Sequence, residues 1–269
     1  MTELNYDDIL YEVVDETTAL ITINRPERFN AFRGQTVDEL IDAFKHSWAD
    51  DSIRAVILTG AGERAFCSGG DVKQRAQTGD YGPTQSGLFE IEQLHRTIRD
   101  VPKPVIAAVN GIAIGGGHVL HVLCDVTIAS ETARFGQAGP RVGSFDAGFG
   151  TGYLSRVVGE KRAREIWFFC RQYDAAQAER WGLVNEVVPA GTVVDVARAW
   201  AKEVGPLSPT AIKFLKYSFN IDSEQNGMVS QLASAGLKLF VDSAEGREGA
   251  QAFAEKRPPD FLGASLPRS

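Results

Sequence analysis

Two glycine clusters constrain this chain more than anything else in it. Ala65-Phe66-Cys67 runs into Ser68-Gly69-Gly70-Asp71, and Asn110-Gly111-Ile112-Ala113-Ile114 runs into Gly115-Gly116-Gly117-His118. Each is an apolar segment ending in glycines ahead of a helical pattern; the second continues into His118-Val119-Leu120-His121-Val122-Leu123-Cys124. The start of a helix leaves backbone N–H groups unpaired and carries partial positive charge. Glycine lets a ligand come close to that backbone. One such turn is a weak sign of an anion site, and tight turns or close helix packing explain it as well. Two of them, about 45 residues apart, can aim two N–H groups at one oxygen, which is how an oxyanion hole is built.

Around these motifs strands and helices alternate. Ile9–Val14 and Thr18–Ile23 read as a hairpin turning at Asp15-Glu16-Thr17, and Arg25-Pro26 ends the second strand because proline cannot donate to the ladder. Residues 36–48 place Val37, Leu40, Ile41 and Phe44 on one helical face. Residues 54–59, 105–109, 125–130 and 184–188 read as strands, and 88–98 as a helix broken by Pro102 and Pro104. Residues 73–87, with Tyr81 in their middle, have no period and read as a functional or mobile loop. Residues 137–150 are irregular. Leu154–Val158, 161–170 and 174–181 are helical, the last capped by Asp174 and ended by Gly182. From Val193 onward the pattern is helical (193–204, 209–221, 228–242, 244–256), before a proline-rich, loosely held tail at 258–269. The order predicts an α/β core over residues 1–204 and a helical C-terminal domain over 205–269, divided near Gly205-Pro206.

A net charge of −7 argues against bulk nucleic acid as a partner, though local cations can still hold a small polyanion. Arg25, Arg28, Arg33, Lys73 and Arg75 lie near the first glycine turn, although most such residues are solvated surface. No apolar run reaches ~18 residues, so no membrane span is expected. The start, Met1-Thr2-Glu3-Leu4-Asn5, is unlike a signal peptide, and Cys67, Cys124 and Cys170 have no metal-like spacing. They read as reduced, buried thiols of a cytoplasmic protein.

Asp146 is the candidate acid–base group. It lies in Gly143-Ser144-Phe145-Asp146-Ala147-Gly148, where small and apolar neighbours favour burial and a raised pKa. An Asx-turn aspartate that only stabilises its loop is the competing explanation. Ser144 reads as a substrate-binding hydroxyl or as a turn residue. His118 and His121 lack a convincing third metal ligand, so no metal is expected. Trp167 and Tyr173 read as core.

Phe66-Cys67-Ser68-Gly69-Gly70-Asp71, Pro102-Lys103-Pro104-Val105-Ile106-Ala107, the Asn110–Gly117 run, Ala133-Arg134-Phe135-Gly136-Gln137 and Ala178-Glu179-Arg180-Trp181-Gly182-Leu183-Val184-Asn185 resemble the crotonase (enoyl-CoA hydratase/isomerase) superfamily. The resemblance covers about residues 6–261. It implies an α/β spiral of ββα units, a C-terminal helical trimerisation domain, and homotrimers that often pair into hexamers. It also implies an acyl-CoA substrate whose thioester oxygen sits between the N–H groups of Gly70 and Gly116. Family hydratases carry glutamates at positions that here are Val119 and Gly139, so simple hydration is not expected.

Residues 137–150 and Arg164-Glu165-Ile166-Trp167 resemble a narrower branch. It contains 2-ketocyclohexanecarboxyl-CoA hydrolase, which opens a ring, and 1,4-dihydroxy-2-naphthoyl-CoA synthase, which closes one. Both use an aspartate matching Asp146. In the synthase, residues matching Gln137, Gly139 and Trp167 can hold a bicarbonate or similar small anion; no other cofactor is implied, CoA being part of the substrate. The synthase's C-terminal tyrosine matches Val241, and neighbouring Phe240 has no hydroxyl either. Asn30-Ala31-Phe32-Arg33-Gly34 and Leu237-Lys238-Leu239-Phe240 are similar to the hydrolase, whereas residues 168–173 are more similar to the synthase. The expectation is therefore a ring-opening hydrolase, with the synthase as the alternative and a non-catalytic acyl-CoA-binding protein as the third. Asp146, Gly70, Gly116, Ser144 and Tyr81 would serve catalysis. Arg28, Ala65, Ser68, Gly69, Asp71, Lys73, Arg75, Ile112, Ile114, Gly115, Gln137, Gly139, Trp167 and Lys256 would bind substrate or CoA.

Overall fold

The computed structural model describes residues 4–265. Its frame is a six-stranded sheet in the order β1 (Ile9–Val14), β2 (Thr18–Ile23), β3 (Ala55–Gly60), β5 (Val105–Val109), β7 (Val126–Ser130), β10 (Glu186–Val188). The β1–β2 hairpin is antiparallel, and every later pairing in this sheet is parallel. A second sheet runs β4 (Ala65–Cys67), β6 (Ile112–Ile114), β8 (Arg134–Gly136), β9 (Gln172–Asp174). Thus β3, β5 and β7 each turn into a three-residue strand of the second sheet. Helices follow the first two of these pairs, which makes the expected ββα repeat.

The long strands read as unbroken apolar runs because both faces are covered. On one face Val56, Leu58, Val105, Ala107 and Val109 pack with Leu40, Phe44, Leu94 and Ile98. On the other, Ala55, Ile57, Ile106 and Ala108 meet Val193, Ala197 and Ala201 of the helix Val193–Val204. Burying each such aliphatic side chain contributes about 1.5–3 kcal/mol.

Three expectations need correction. Residues 73–87 are not all loop: Val72–Thr78 is helical, started by the Asp71 carboxylate accepting from Gln74 N–H (3.1 Å) and ended by left-handed Gly79. The helix expected at 88–98 is Ile91–Asp100. The tail is tied down as far as it is described. Asp260 N–H donates to Glu248 Oε1 (2.7 Å), and its carboxylate accepts from Gly263 N–H (3.0 Å) at the start of Phe261–Ser265. Residues 266–269, like Met1-Thr2-Glu3, lie outside the described residues.

The C-terminal helices do not stand apart from the core. Gln225–Val241 packs on the helix Ile91–Asp100 and on the π-helix Phe149–Tyr153, and Ala244–Glu255 packs on Val72–Thr78. Among the described residues no helix is long and apolar enough to cross a membrane.

Candidate active site

The two glycine turns meet. Gly69 has φ +91°, and a Cβ there would stand 2.9 Å from Gly116 N. Gly115 has φ +59°, which turns the chain from β6 into the helix Gly116–Leu123. A Cβ on Gly117 would overlap the Cys67 carbonyl oxygen, so only glycine lets that helix seat on β4. Phe32 bridges to the first turn: its N–H donates to Gly69 O (2.9 Å), and its carbonyl accepts from Asp71 N–H (2.9 Å). Among the described residues neither Gly70 N–H nor Gly116 N–H has an acceptor. Two neighbouring free donors are what an oxyanion hole requires.

Aromatic side chains wall this place. A Cβ at Gly116 would come within 2.6 Å of the Phe32 ring, and one at Gly70 within 2.6 Å of the Tyr81 ring. Phe89 stacks on Tyr81 (4.6 Å between centroids) and lies 6.3 Å from Phe32. Two residues after Phe89 begins the helix Ile91–Asp100, whose Ile91, Glu92 and His95 line a cavity of about 40 Å³ with Phe145, Asp146 and Ser230. Phe89 thus joins the aromatic wall beside the glycine pair to the helix that lines the Asp146 cavity.

Asp146 is half-buried and lines this cavity. Burial pushes its pKa up to about 7, the Gly150 N–H hydrogen bond opposes the rise, and the Glu92 charge adds to it. Gly150 starts in the π-helix, where Tyr153 N–H reaches back five residues to Gly148 O (3.3 Å). Trp167 donates its indole N–H to Gly150 O (2.6 Å). Trp167 is thus core, as expected, and also anchors Gly150, the residue whose N–H bonds Asp146. The Asp146 loop is further anchored by Phe145 against Phe240 (5.8 Å).

Several assigned roles change on inspection. Arg75 is 5 % exposed, and its guanidinium donates to Val142 O and to Tyr81 Oη (3.4 Å). It ties the Tyr81 segment to the Asp146 loop and is not free to meet a phosphate. Asp71 is buried and spent on Arg25 (3.1 Å) and on its helix cap. Of the residues expected to hold a bicarbonate, Trp167 donates its N–H to Gly150 O, and buried Gln137 turns its amide nitrogen toward His118 Nδ1 (3.4 Å). Of the remaining candidates, Ala65 and Ile114 are buried, Ser68, Ile112, Gly115, Gly139 and Ser144 half-buried, and Arg28, Lys73 and Lys256 exposed. Ser144 and Tyr81 do not line the Asp146 cavity; Tyr81 lies on the Gly70 side. Val119 is core at 1 % exposure. His118 and His121 pack edge to face (4.9 Å) beside Phe135, with burial holding His118 down to about 3 and His121 well below its ordinary value.

Sequence reasoning missed Glu92 and His95. The available signal was two polar residues, three apart, on the Ile91 side of an otherwise amphipathic helix.

The family model described as enoyl-CoA hydratase/isomerase matches residues 14–264. An enoyl-CoA hydratase from Mycobacterium avium subsp. paratuberculosis K-10 superposes with a TM-score of 0.84 at 27% identity, covering 96% of this chain and 99% of that one. A carnitinyl-CoA hydratase from Mycobacterium avium gives 0.80 at 31%, covering 96% and 100%. A monofunctional enoyl CoA isomerase from M. smegmatis gives 0.69 at 32%, covering 82% and 98%. With the repeated ββα frame and the paired glycine turns, these similarities establish that the chain belongs to the enoyl-CoA hydratase/isomerase family, with the crotonase fold.

Proposed function

We propose that this acyl-CoA enzyme opens the ring of a cyclic β-keto acyl-CoA by hydrolysing a carbon–carbon bond. The observation that carries the reading is Asp146, a carboxyl that lines the cavity beside Glu92 and that burial holds up to about 7. The two positions where family hydratases carry glutamate are a core valine and a glycine, Val119 and Gly139.

In this mechanism Asp146 takes a proton from water as its oxygen bonds to the ring ketone carbon. Collapse of the adduct breaks the bond to the α-carbon. The electron pair passes into the thioester enolate, whose oxygen the Gly70 and Gly116 N–H groups hold; each such donor contributes about 3 kcal/mol to lowering the barrier. The proton on Asp146 then returns to the α-carbon, so one water is consumed and a carboxylic acid is formed. A pKa near neutrality suits a group that must act as base and then as acid. Ring closure of the synthase type is less well supported: Val241 and Phe240 carry no hydroxyl, and Phe240 is engaged with Phe145.

Arg28, Lys73 and Lys256 are exposed and have no ion-pair partner among the described residues; in this reading they meet the CoA phosphates. Phe214, Phe219, Met228, Leu232 and Leu239 are exposed on the C-terminal helices. An apolar area of this extent supports self-association as the trimer or hexamer that the family resemblance implies. Light scattering that returns the 29.2 kDa single chain would contradict that assignment.

The functional test is mass spectrometry of the protein with 2-ketocyclohexanecarboxyl-CoA, o-succinylbenzoyl-CoA and crotonyl-CoA in parallel. Gain of one water on the first alone is expected. Loss of water from the second would establish the synthase instead, and gain of water on crotonyl-CoA a hydratase. Binding without turnover of any, unchanged in Asp146→Asn, would point to a non-catalytic acyl-CoA-binding protein.

A further inference from the structure

Ring opening creates negative charge on two oxygens, and the glycine turns account for one. The other is the ring ketone oxygen, which takes the π electron pair when water adds. It needs its own donor.

The cavity holds one. His95 is 1 % exposed and lines it beside Asp146. Of the three buried imidazoles here, His118 and His121 each place Nδ1 by a polar group, Gln137 and Thr127. His95 has neither ring nitrogen paired. Leaving such a group unpaired in a protein interior is costly, and native structures retain few without a reason. Its backbone site explains the aim: Ile91, Glu92 and His95 share one face of the helix Ile91–Asp100. Ser230 and Ser234, one turn apart on Gln225–Val241, line the same cavity with Ala233 and Leu237. Burial pushes the imidazole down to about 4, so near neutral pH it is uncharged and carries one N–H. A neutral imidazole can polarise a carbonyl without supplying an excess proton.

We infer that His95 donates a hydrogen bond to the ketone oxygen of the acyl group, forming a second oxyanion site distinct from the Gly70–Gly116 pair. The inference rests on the ring-opening reading and adds a residue that recognises the ketone. Asp146 and Glu92 both face this cavity, so the oxygen that His95 receives is an uncharged ketone oxygen rather than a carboxylate. The reaction turns that ketone into a carboxylic acid; once ionised beside two carboxyl groups it is repelled, which favours product release.

The test compares His95→Leu and His95→Gln with the unaltered protein. Turnover is measured on 2-ketocyclohexanecarboxyl-CoA, and affinity for that thioester and for cyclohexanecarboxyl-CoA, which lacks the ketone. His95→Leu is expected to lower kcat by about 10²–10³-fold. Its affinity for cyclohexanecarboxyl-CoA should stay within about threefold and its melting temperature should not fall, while His95→Gln, which keeps a donor, recovers part of the rate. Undiminished kcat in His95→Leu, or equal loss of affinity for both thioesters, would overturn the assignment. If the unaltered protein opens no ring yet prefers the ketone thioester, and His95→Leu abolishes that preference, the donor role stands and the ring-opening reading falls. With neither turnover nor preference in the unaltered protein, both fall.

Discussion

Asp146→Asn should make this protein more stable at pH 8 and inactive. In the unfolded chain the carboxyl loses its proton near its ordinary 3.8; in the folded chain burial holds the proton to about 7. Between those values the folded state binds more protons, so the group's contribution to stability falls as pH rises. Above about 7 both states are ionised and the deficit is constant. At about 1.4 kcal/mol per pH unit, the gap amounts to about 4 kcal/mol as an upper limit. Asparagine has the same shape, still accepts from Gly150 N–H and never ionises. The variant's advantage should be near zero at pH 4 and grow to its full size by pH 8. For a chain of this size that corresponds to a melting temperature higher on the order of 10 °C. The assay is thermal unfolding of both proteins at half-unit steps from pH 4 to 8.5, with ring-opening rates measured in parallel. In the unaltered protein kcat/KM should rise with pH through an apparent pKa near 7, and the variant should lose about 10²–10⁴-fold. A stability difference that does not vary with pH, or an active Asn variant, would refute the reasoning.

Three further variants probe the surroundings of the site. Gly150→Ala places a methyl group 2.8 Å from Asp146 Oδ1; the displaced carboxyl should cost about tenfold or more in kcat with little change in KM. Trp167→Phe removes the donor to the buried Gly150 carbonyl; denaturant unfolding should show a loss of about 1–3 kcal/mol, and kcat should fall. Replacing Arg28 and Lys73 together by alanine should raise KM for acyl-CoA several-fold at low salt, leave kcat unchanged and flatten its salt dependence. An unchanged KM would place the CoA phosphates elsewhere.

The main sheet was legible because its strands are buried on both faces, so Ala55–Gly60 and Val105–Val109 appear as unbroken apolar runs. The second sheet was not, since strands of three residues such as Gln172–Asp174 are too short to show a period. Helix Val72–Thr78 was hidden for a different reason: its sequence is polar, and its start depends on Asp71, which had been counted among the ligand contacts. Arg75 shows the limit of reading cations from sequence, because nothing in its neighbours signals the Val142 carbonyl that arrives from 67 residues away. The glycine pair was readable because close backbone approach leaves a residue-level mark. His95 was not, because an imidazole without partners is visible only once its surroundings are.

The central claim is hydrolysis at carbon–carbon rather than at the thioester. Both reactions consume one water, but ring opening leaves a single thioester heavier by that water, whereas thioester cleavage divides the substrate into free CoA and a keto acid. The decisive measurement is reaction of 2-ketocyclohexanecarboxyl-CoA in oxygen-18-labelled water, with the label located by fragmentation. The account expects one labelled oxygen in a new terminal carboxylate of an intact CoA thioester, lost in Asp146→Asn. Label in a free carboxylic acid accompanied by released CoA, or no incorporation at all, would contradict it.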